Sequence, residues 1–170
     1  MLRRAKYLKL TKLAVESFKA RAYRGNRLPF DARFPGREHD SYTPIEALLT
    51  VIQFSLEEAF AMNPVKAVEI VQALPVALLS RWSEIGDYVE RARIGDSSSV
   101  ELLCGRLQPD GMTPPIPFCG TLADVAEQRK LGVWQGVITS ASRTAVVLDR
   151  RAVYTKVELP ADFWAVAPTI

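Results

Sequence analysis

The sequence predicts an α+β protein, with a basic helical N-terminal unit followed by a small strand-rich C-terminal part. Three observations predict it. Apolar residues recur at helical spacing through roughly the first half of the chain, with caps and breakers between the runs. From residue 85 onward, clusters of Gly, Pro, Ser and Asp separate short runs rich in β-branched residues. The charge divides the same way, basic first and acidic after. A length of 170 residues suits one ordinary domain or two small ones. The expected division is residues 1–84 as the basic helical unit, 85–99 as a linker or loop, and 100–170 as a small α/β or β-rich domain.

Residues 8–13 read as a short helix or turn, with Leu8, Leu10 and Leu13 as its apolar set. Residues 15–24 read as a second helix. Ala14, Phe18, Ala22 and Tyr23 fall about one turn apart, leaving Lys19, Arg21 and Arg24 around the other side. Gly25 and Asn26 suit the left-handed geometry that ends a helix. Leu28 precedes Pro29 and is thereby biased to an extended form. The segment 33–40 reads as an exposed loop turning at Pro35-Gly36.

The strongest helix is expected over residues 44–61. Thr43 suits the N-cap, Pro44 the first helical position, and Glu46 completes a capping box. Asn63 and Pro64 open another helix that runs to about Leu74, and Pro75 interrupts it before a last short turn at 76–82. In the C-terminal part, strands are expected at 100–107, 133–139, 145–148 and 153–159. A capped helix is expected at 121–130 and a hairpin turn at Asp149-Arg150. Thr113-Pro114-Pro115-Ile116-Pro117 cannot pair as a central strand. The tail carries Phe163 and Trp164 and is expected to fold back on something apolar.

The formal net charge of +3 hides a strong polarity. Residues 1–37 hold eleven basic side chains: Arg3, Arg4, Lys6, Lys9, Lys12, Lys19, Arg21, Arg24, Arg27, Arg33 and Arg37. Against them stand only Glu16 and Asp31, which leaves +9 there and −6 in the remainder. Such a segment repels itself, and an anionic surface relieves the repulsion. A phosphate backbone is the surface it fits best, because each neutralised phosphate also releases counterions. Tyr7, Phe18, Tyr23, Phe30 and Phe34 interleave these charges, either to anchor the segment or to stack on bases. An acidic protein face and an anionic lipid surface are the competing partners.

Little in the chain resembles catalytic machinery, and it is not expected to be an enzyme. His39, the only histidine, lies in a polar loop. Cys104 and Cys119 stand fifteen residues apart and cannot by themselves furnish a four-ligand zinc site. They read as reduced thiols, and a thiol enzyme is the remaining catalytic alternative. Gly132 and Gly136 flank Trp134 without the lysine of a phosphate loop. Glu57 and Glu58 are helical neighbours that do not face each other. No metal or cofactor is expected. No apolar run is long enough for a membrane span or a signal peptide, so the expectation is a cytoplasmic protein.

The stretch from Leu8 to Pro29 resembles the opening of a MerR-like winged helix-turn-helix domain. The run Tyr23-Arg24-Gly25, followed by Leu28-Pro29, carries the resemblance. It covers at most a third of the chain, and Leu13-Ala14-Val15 stands where a glycine turn is usual. The resemblance implies a transcriptional regulator that binds double-stranded DNA as a homodimer. The helix from Ser17 to Arg24 would lie in the major groove, and the segment from Arg27 to Arg37 would form the wing. Lys19, Arg21, Arg24 and Arg27 would contact DNA, with Arg21 reading bases. Arg3, Arg4 and Lys6 would follow the minor groove as a flexible arm.

Overall fold

The structure is a computed structural model that describes residues 1–24, 27–30, 41–109, 115–130 and 133–168, with the side chains of residues 23, 24, 109 and 133–135 outside the description. A two-residue strand, β1 (Leu2–Arg3), leads into α1 (Arg4–Thr11) and α2 (Val15–Arg24). Lys12 closes α1 in the left-handed region, at φ 56°, and its N–H reaches the carbonyls of Leu8 and Lys9. This is a C-terminal cap made without glycine. Strand β2 (Ser41–Tyr42) pairs antiparallel with β1, Leu2 opposite Tyr42.

The central element is α3 (Pro44–Ala59), and its start follows the local sequence signal. The Thr43 hydroxyl accepts from the Glu46 N–H, and the Glu46 carboxylate accepts from the Thr43 N–H at 2.8 Å. Ile45, Leu48, Leu49, Ile52 and Leu56 are buried. Ala47, Thr50, Val51 and Gln53 are buried as well, so apart from Pro44 and Glu46 the first ten residues of α3 show almost no solvent face. A helix enclosed in this way is surrounded by others. α1 packs on it, as do α4 (Pro64–Gln72), α5 (Pro75–Leu79) and α8 (Ala141–Tyr154). Asn63 caps α4 through its side chain, 2.9 Å from the Val65 nitrogen.

The C-terminal part carries an antiparallel sheet ordered β4 (Ile116–Gly120), β3 (Leu103–Pro109), β5 (Val133–Ser140). Pro117 sits in β4, an edge strand, where a missing N–H costs no ladder bond on the open side. The helix α7 (Leu122–Lys130) joins β4 to β5, with the Thr121 hydroxyl and Asp124 carboxylate bonded across its first turn. The architecture is therefore a helical N-terminal region followed by a small antiparallel sheet region. Among the described residues no helix is long and apolar enough to cross a membrane.

Several expectations are corrected. Residues 145–148 and 153–154 are not strand, and Asp149-Arg150 is not a hairpin turn. Both lie inside α8. Its buried stripe is Ala141, Ala145, Leu148 and Ala152, a helical repeat, and the Ser140 hydroxyl caps it by accepting from the Arg143 N–H. Val146, Val147 and Val153 favour strand locally, and burial of the alanine stripe overrides them. Residues 155–159 are not strand either. Residues 82–93, expected to be linker from position 85, form α6 (Trp82–Arg93), with Trp82, Ile85 and Val89 inward. Gly86 suggested a break. It is there because a Cβ would meet the Trp164 carbonyl oxygen at 2.5 Å. Strand β3 begins at Leu103 instead of Val100.

The tail folds back as expected. Phe163 and Trp164 are buried, and Trp164 stacks on Trp82 with ring centroids 5.7 Å apart. The buried apolar residues form one cluster that runs from Leu2 to Trp164 and draws on both parts of the chain.

Candidate nucleic-acid interface

The basic segment is anchored by its aromatic residues. Tyr7 stacks on Tyr42 at 4.2 Å, and Phe18 and Phe30 meet the pair edge-on. The Tyr7 hydroxyl lies 2.7 Å from that of Thr50 on α3. These rings fix α1 and α2 to the core, so Tyr7, Phe18 and Phe30 are committed inside the protein. Phe34 lies outside the described residues, as does the side chain of Tyr23.

The cations fall into two groups. Arg3, Lys9, Lys12, Lys19 and Arg27 are exposed. Lys19 bonds Glu16 at 3.1 Å, but both side chains are more than half exposed, so the pair is weak. Arg4, Lys6 and Arg21 turn to the protein. The Arg4 guanidinium lies over the Phe18 ring, 5.8 Å from its centroid. Lys6 donates to the Glu158 carbonyl at 3.4 Å. A flexible arm of Arg3, Arg4 and Lys6 is therefore corrected. Arg3 is paired in β1, and Arg4 and Lys6 belong to α1, which starts four residues before the helix expected at 8–13. Arg24 is in α2, but its side chain, together with Arg33, Arg37 and His39, lies outside the description.

Arg21 makes the most specific contact in the segment. Its two terminal nitrogens each donate to one Glu57 oxygen at 2.8 Å. Its guanidinium also lies 4.8 Å from the centre of the Phe54 ring. Gln53, fully buried, donates at 2.7 Å to the same carboxylate, and at 3.0 Å to the Arg27 carbonyl. The inner side of α2 and the chain that follows it are thus tied to one face of α3. Burial pushes Glu57 up, but the hydrogen bonds from Arg21 and Gln53 and the charges of Arg21 and Arg27 outweigh it. The carboxyl is held below its ordinary value of 4.5. A carboxyl depressed on folding adds stability above its unfolded value and loses it as pH falls through the folded one. Acid titration of stability should therefore show this component fading as pH falls below the ordinary carboxyl value. Glu57→Gln should flatten the curve in that window, as followed by circular dichroism in urea, and an unchanged curve would refute the coupling.

The sequence reading missed Glu57 and Gln53 as partners. The available signal was two polar residues four apart on a helix otherwise apolar on that side. Among the described residues, Val15, Glu16, Ser17, Lys19 and Ala20 face outward on α2. The basic Lys12 stands before this surface and Arg27 after it.

Compared with protein-family models, with curated proteins and with solved structures, the chain shows no match. The interface must be judged on its own residues.

Elsewhere, Cys104 and Cys119 face each other across β3 and β4. Burial, with a smaller push from Cys119, drives the Cys104 thiol far up. Burial also drives Cys119 up to about 11, although the charge of Arg81 opposes it. Neither thiol is poised as a nucleophile near neutral pH. Iodoacetamide at pH 7.5 should label the native protein slowly and the urea-unfolded protein at both positions. Rapid labelling of either native thiol, followed by mass spectrometry, would contradict this.

Proposed function

We propose that the chain is a sequence-specific, double-stranded-DNA-binding transcriptional regulator that works as a homodimer. In this reading the exposed face of α2 enters the major groove, as in a MerR-like winged helix, and residues 27–37 lie beside it as the wing. One observation carries the proposal. A ten-residue helix is clamped to the core on one side by Phe18, Ala22 and Arg21, and on the other offers small and polar residues with cations before and after it. A helix held firmly on its inner side, with Ser17, Lys19 and Ala20 on its outer side, suits approach to base edges, while flanking cations suit phosphates.

The roles are distributed accordingly. Ser17 and Lys19 face bases, and Lys9, Lys12, Arg24 and Arg27 hold phosphates. Arg33 and Arg37 extend the wing. Arg21 is first by helix position among the expected base readers, but its donors are spent on Glu57, so it positions α2. The buried thiols favour this reading over a cysteine enzyme.

The test is anisotropy titration of labelled duplex pools at several salt concentrations, with sequencing of the bound fraction. An enriched palindrome with salt-dependent affinity is expected. Lys12→Gln should lower the slope of log affinity against log salt by about 1.8, about 0.9 for each protomer of the dimer, without altering the enriched sequence. Binding without enrichment would replace a regulator by a DNA-coating role. No binding at low salt would end the DNA reading, and the basic face would then contact protein.

A further inference from the structure

A second candidate site lies far from α2 in sequence, between α6, α8 and the loop that follows α6. There the surface folds into a groove of about 430 Å³, within the size range of small-molecule sites. Its apolar lining comes from Tyr88 and Ala92 on α6 and from Val146 and Val147 on α8. Arg143 and Arg150 line it as well. Positions 143, 146, 147 and 150 share one face of α8 by their spacing, so two guanidiniums bracket a valine pair two turns long. Val147, one of these lining residues, is 44% exposed.

The polar lining is arranged for an anion. Arg150 is exposed and makes no ion pair among the described residues. Arg143 uses one terminal nitrogen on Glu101, at 2.8 Å, and its side chain is 72% exposed. Such a pair is weak, and most of its N–H donors remain available. Ser97 and Ser99 line the same groove. Asp96, the acid in the wall, accepts from the Ser98 N–H at 2.8 Å and pairs weakly with Arg91 of α6 at 3.4 Å, so its carboxylate is turned to the loop and to α6. The serine run after Gly95 is thereby a built turn, not a linker.

We propose that this groove binds a small organic carboxylate with an apolar body, its chain on Tyr88, Ala92, Val146 and Val147 and its carboxylate between Arg143 and Arg150. The planar guanidinium fork matches a carboxylate in two-point geometry. Inorganic anions would gain nothing from the apolar floor, and an uncharged apolar ligand would leave the guanidiniums unanswered. None of the lining residues is among the proposed DNA contacts, and the proposal does not rest on them.

Octanoate serves as the probe, with methyl octanoate and inorganic phosphate as controls, in calorimetric titration of the full chain. Octanoate should bind and raise the melting temperature, and neither control should do so. Arg150→Gln should weaken binding about tenfold. Val147→Asp should abolish it by placing a carboxylate in the floor. Both positions are solvent-facing, and circular dichroism of each variant checks that the fold is kept. Equal binding of the ester would reduce the site to a greasy patch, and equal binding of phosphate to a charge effect. Either result overturns the proposal. So does octanoate binding that ignores both substitutions, or no binding at all. Failure of octanoate together with a dimer that Val147→Asp dissociates in sedimentation would assign the groove to a second copy of the chain instead.

Discussion

Replacing Asp149 by alanine should cost about 3 kcal/mol of stability and lower Tm by roughly 6–12 °C for a chain of this size. Asp149 is 6% exposed as a side chain and accepts from the Arg93 guanidinium through both oxygens, at 2.9 and 2.6 Å. It also accepts from the Trp164 indole N–H at 3.1 Å. One carboxylate thus joins α6, α8 and the folded-back tail. Truncation leaves the Trp164 N–H buried without an acceptor and returns Arg93 to Glu90 alone. Asp149 is buried but Arg93 is 45% exposed, so the cost of the alanine lies in the lost two-point contact and the stranded indole N–H more than in the freed guanidinium. Arg93→Ala leaves a buried carboxylate with a single donor and should cost a similar amount. The double variant Asp149→Leu with Arg93→Met should recover part of the loss, since the unpaired guanidinium is replaced by apolar packing while the Trp164 N–H stays without its acceptor. Tryptophan fluorescence should shift to the red in Asp149→Ala as Trp164 leaves its place on Trp82. A melt displaced by less than about 2 °C would mean that ring packing, not the carboxylate, docks the tail.

The features legible in the sequence were those written within a few residues of one another. Thr43, Pro44 and Glu46 specify the start of α3 without help from the rest of the chain. The break at Asn63-Pro64 and the Thr121–Asp124 cap are equally local. The helices α6 and α8 were missed because what decides them is distant. Gly86 breaks no helix. It makes room for a carbonyl seventy-eight residues later. Asp149 reads as a turn residue until Arg93, fifty-six residues earlier, supplies its partner. Within the basic segment the charge was legible and its use was not. Nothing near Arg21 announces Glu57, thirty-six residues away. Charge counting treats all eleven cations alike, whereas packing commits Arg4, Lys6 and Arg21 to the protein and leaves Lys9, Lys12, Lys19 and Arg27 outside.

If the chain binds DNA as proposed, that division separates two kinds of effect on binding, and Lys19 and Arg21 are the pair to compare. Lys19→Ala should weaken binding to the selected site about tenfold and leave the melt within about 1 °C, because exposed substitutions rarely change stability. Arg21→Ala should do the reverse in emphasis. Its side chain is 23% exposed and that of Glu57 15%, so loss of the bidentate pair should cost roughly 2–3 kcal/mol. Affinity for DNA falls with it, since α2 is no longer fixed on α3. Affinity alone therefore cannot tell a positioning arginine from a reading one, and Arg21→Lys supplies the distinction. Lysine keeps the charge but not the two-point fork. If Arg21 positions α2, the lysine variant melts earlier and enriches the same DNA sequence as the parent. If Arg21 reads a base, the lysine variant keeps its melt and loses discrimination at one position of the site. The geometry at Glu57 predicts the first result, and the second would require the guanidinium to leave its carboxylate on binding DNA.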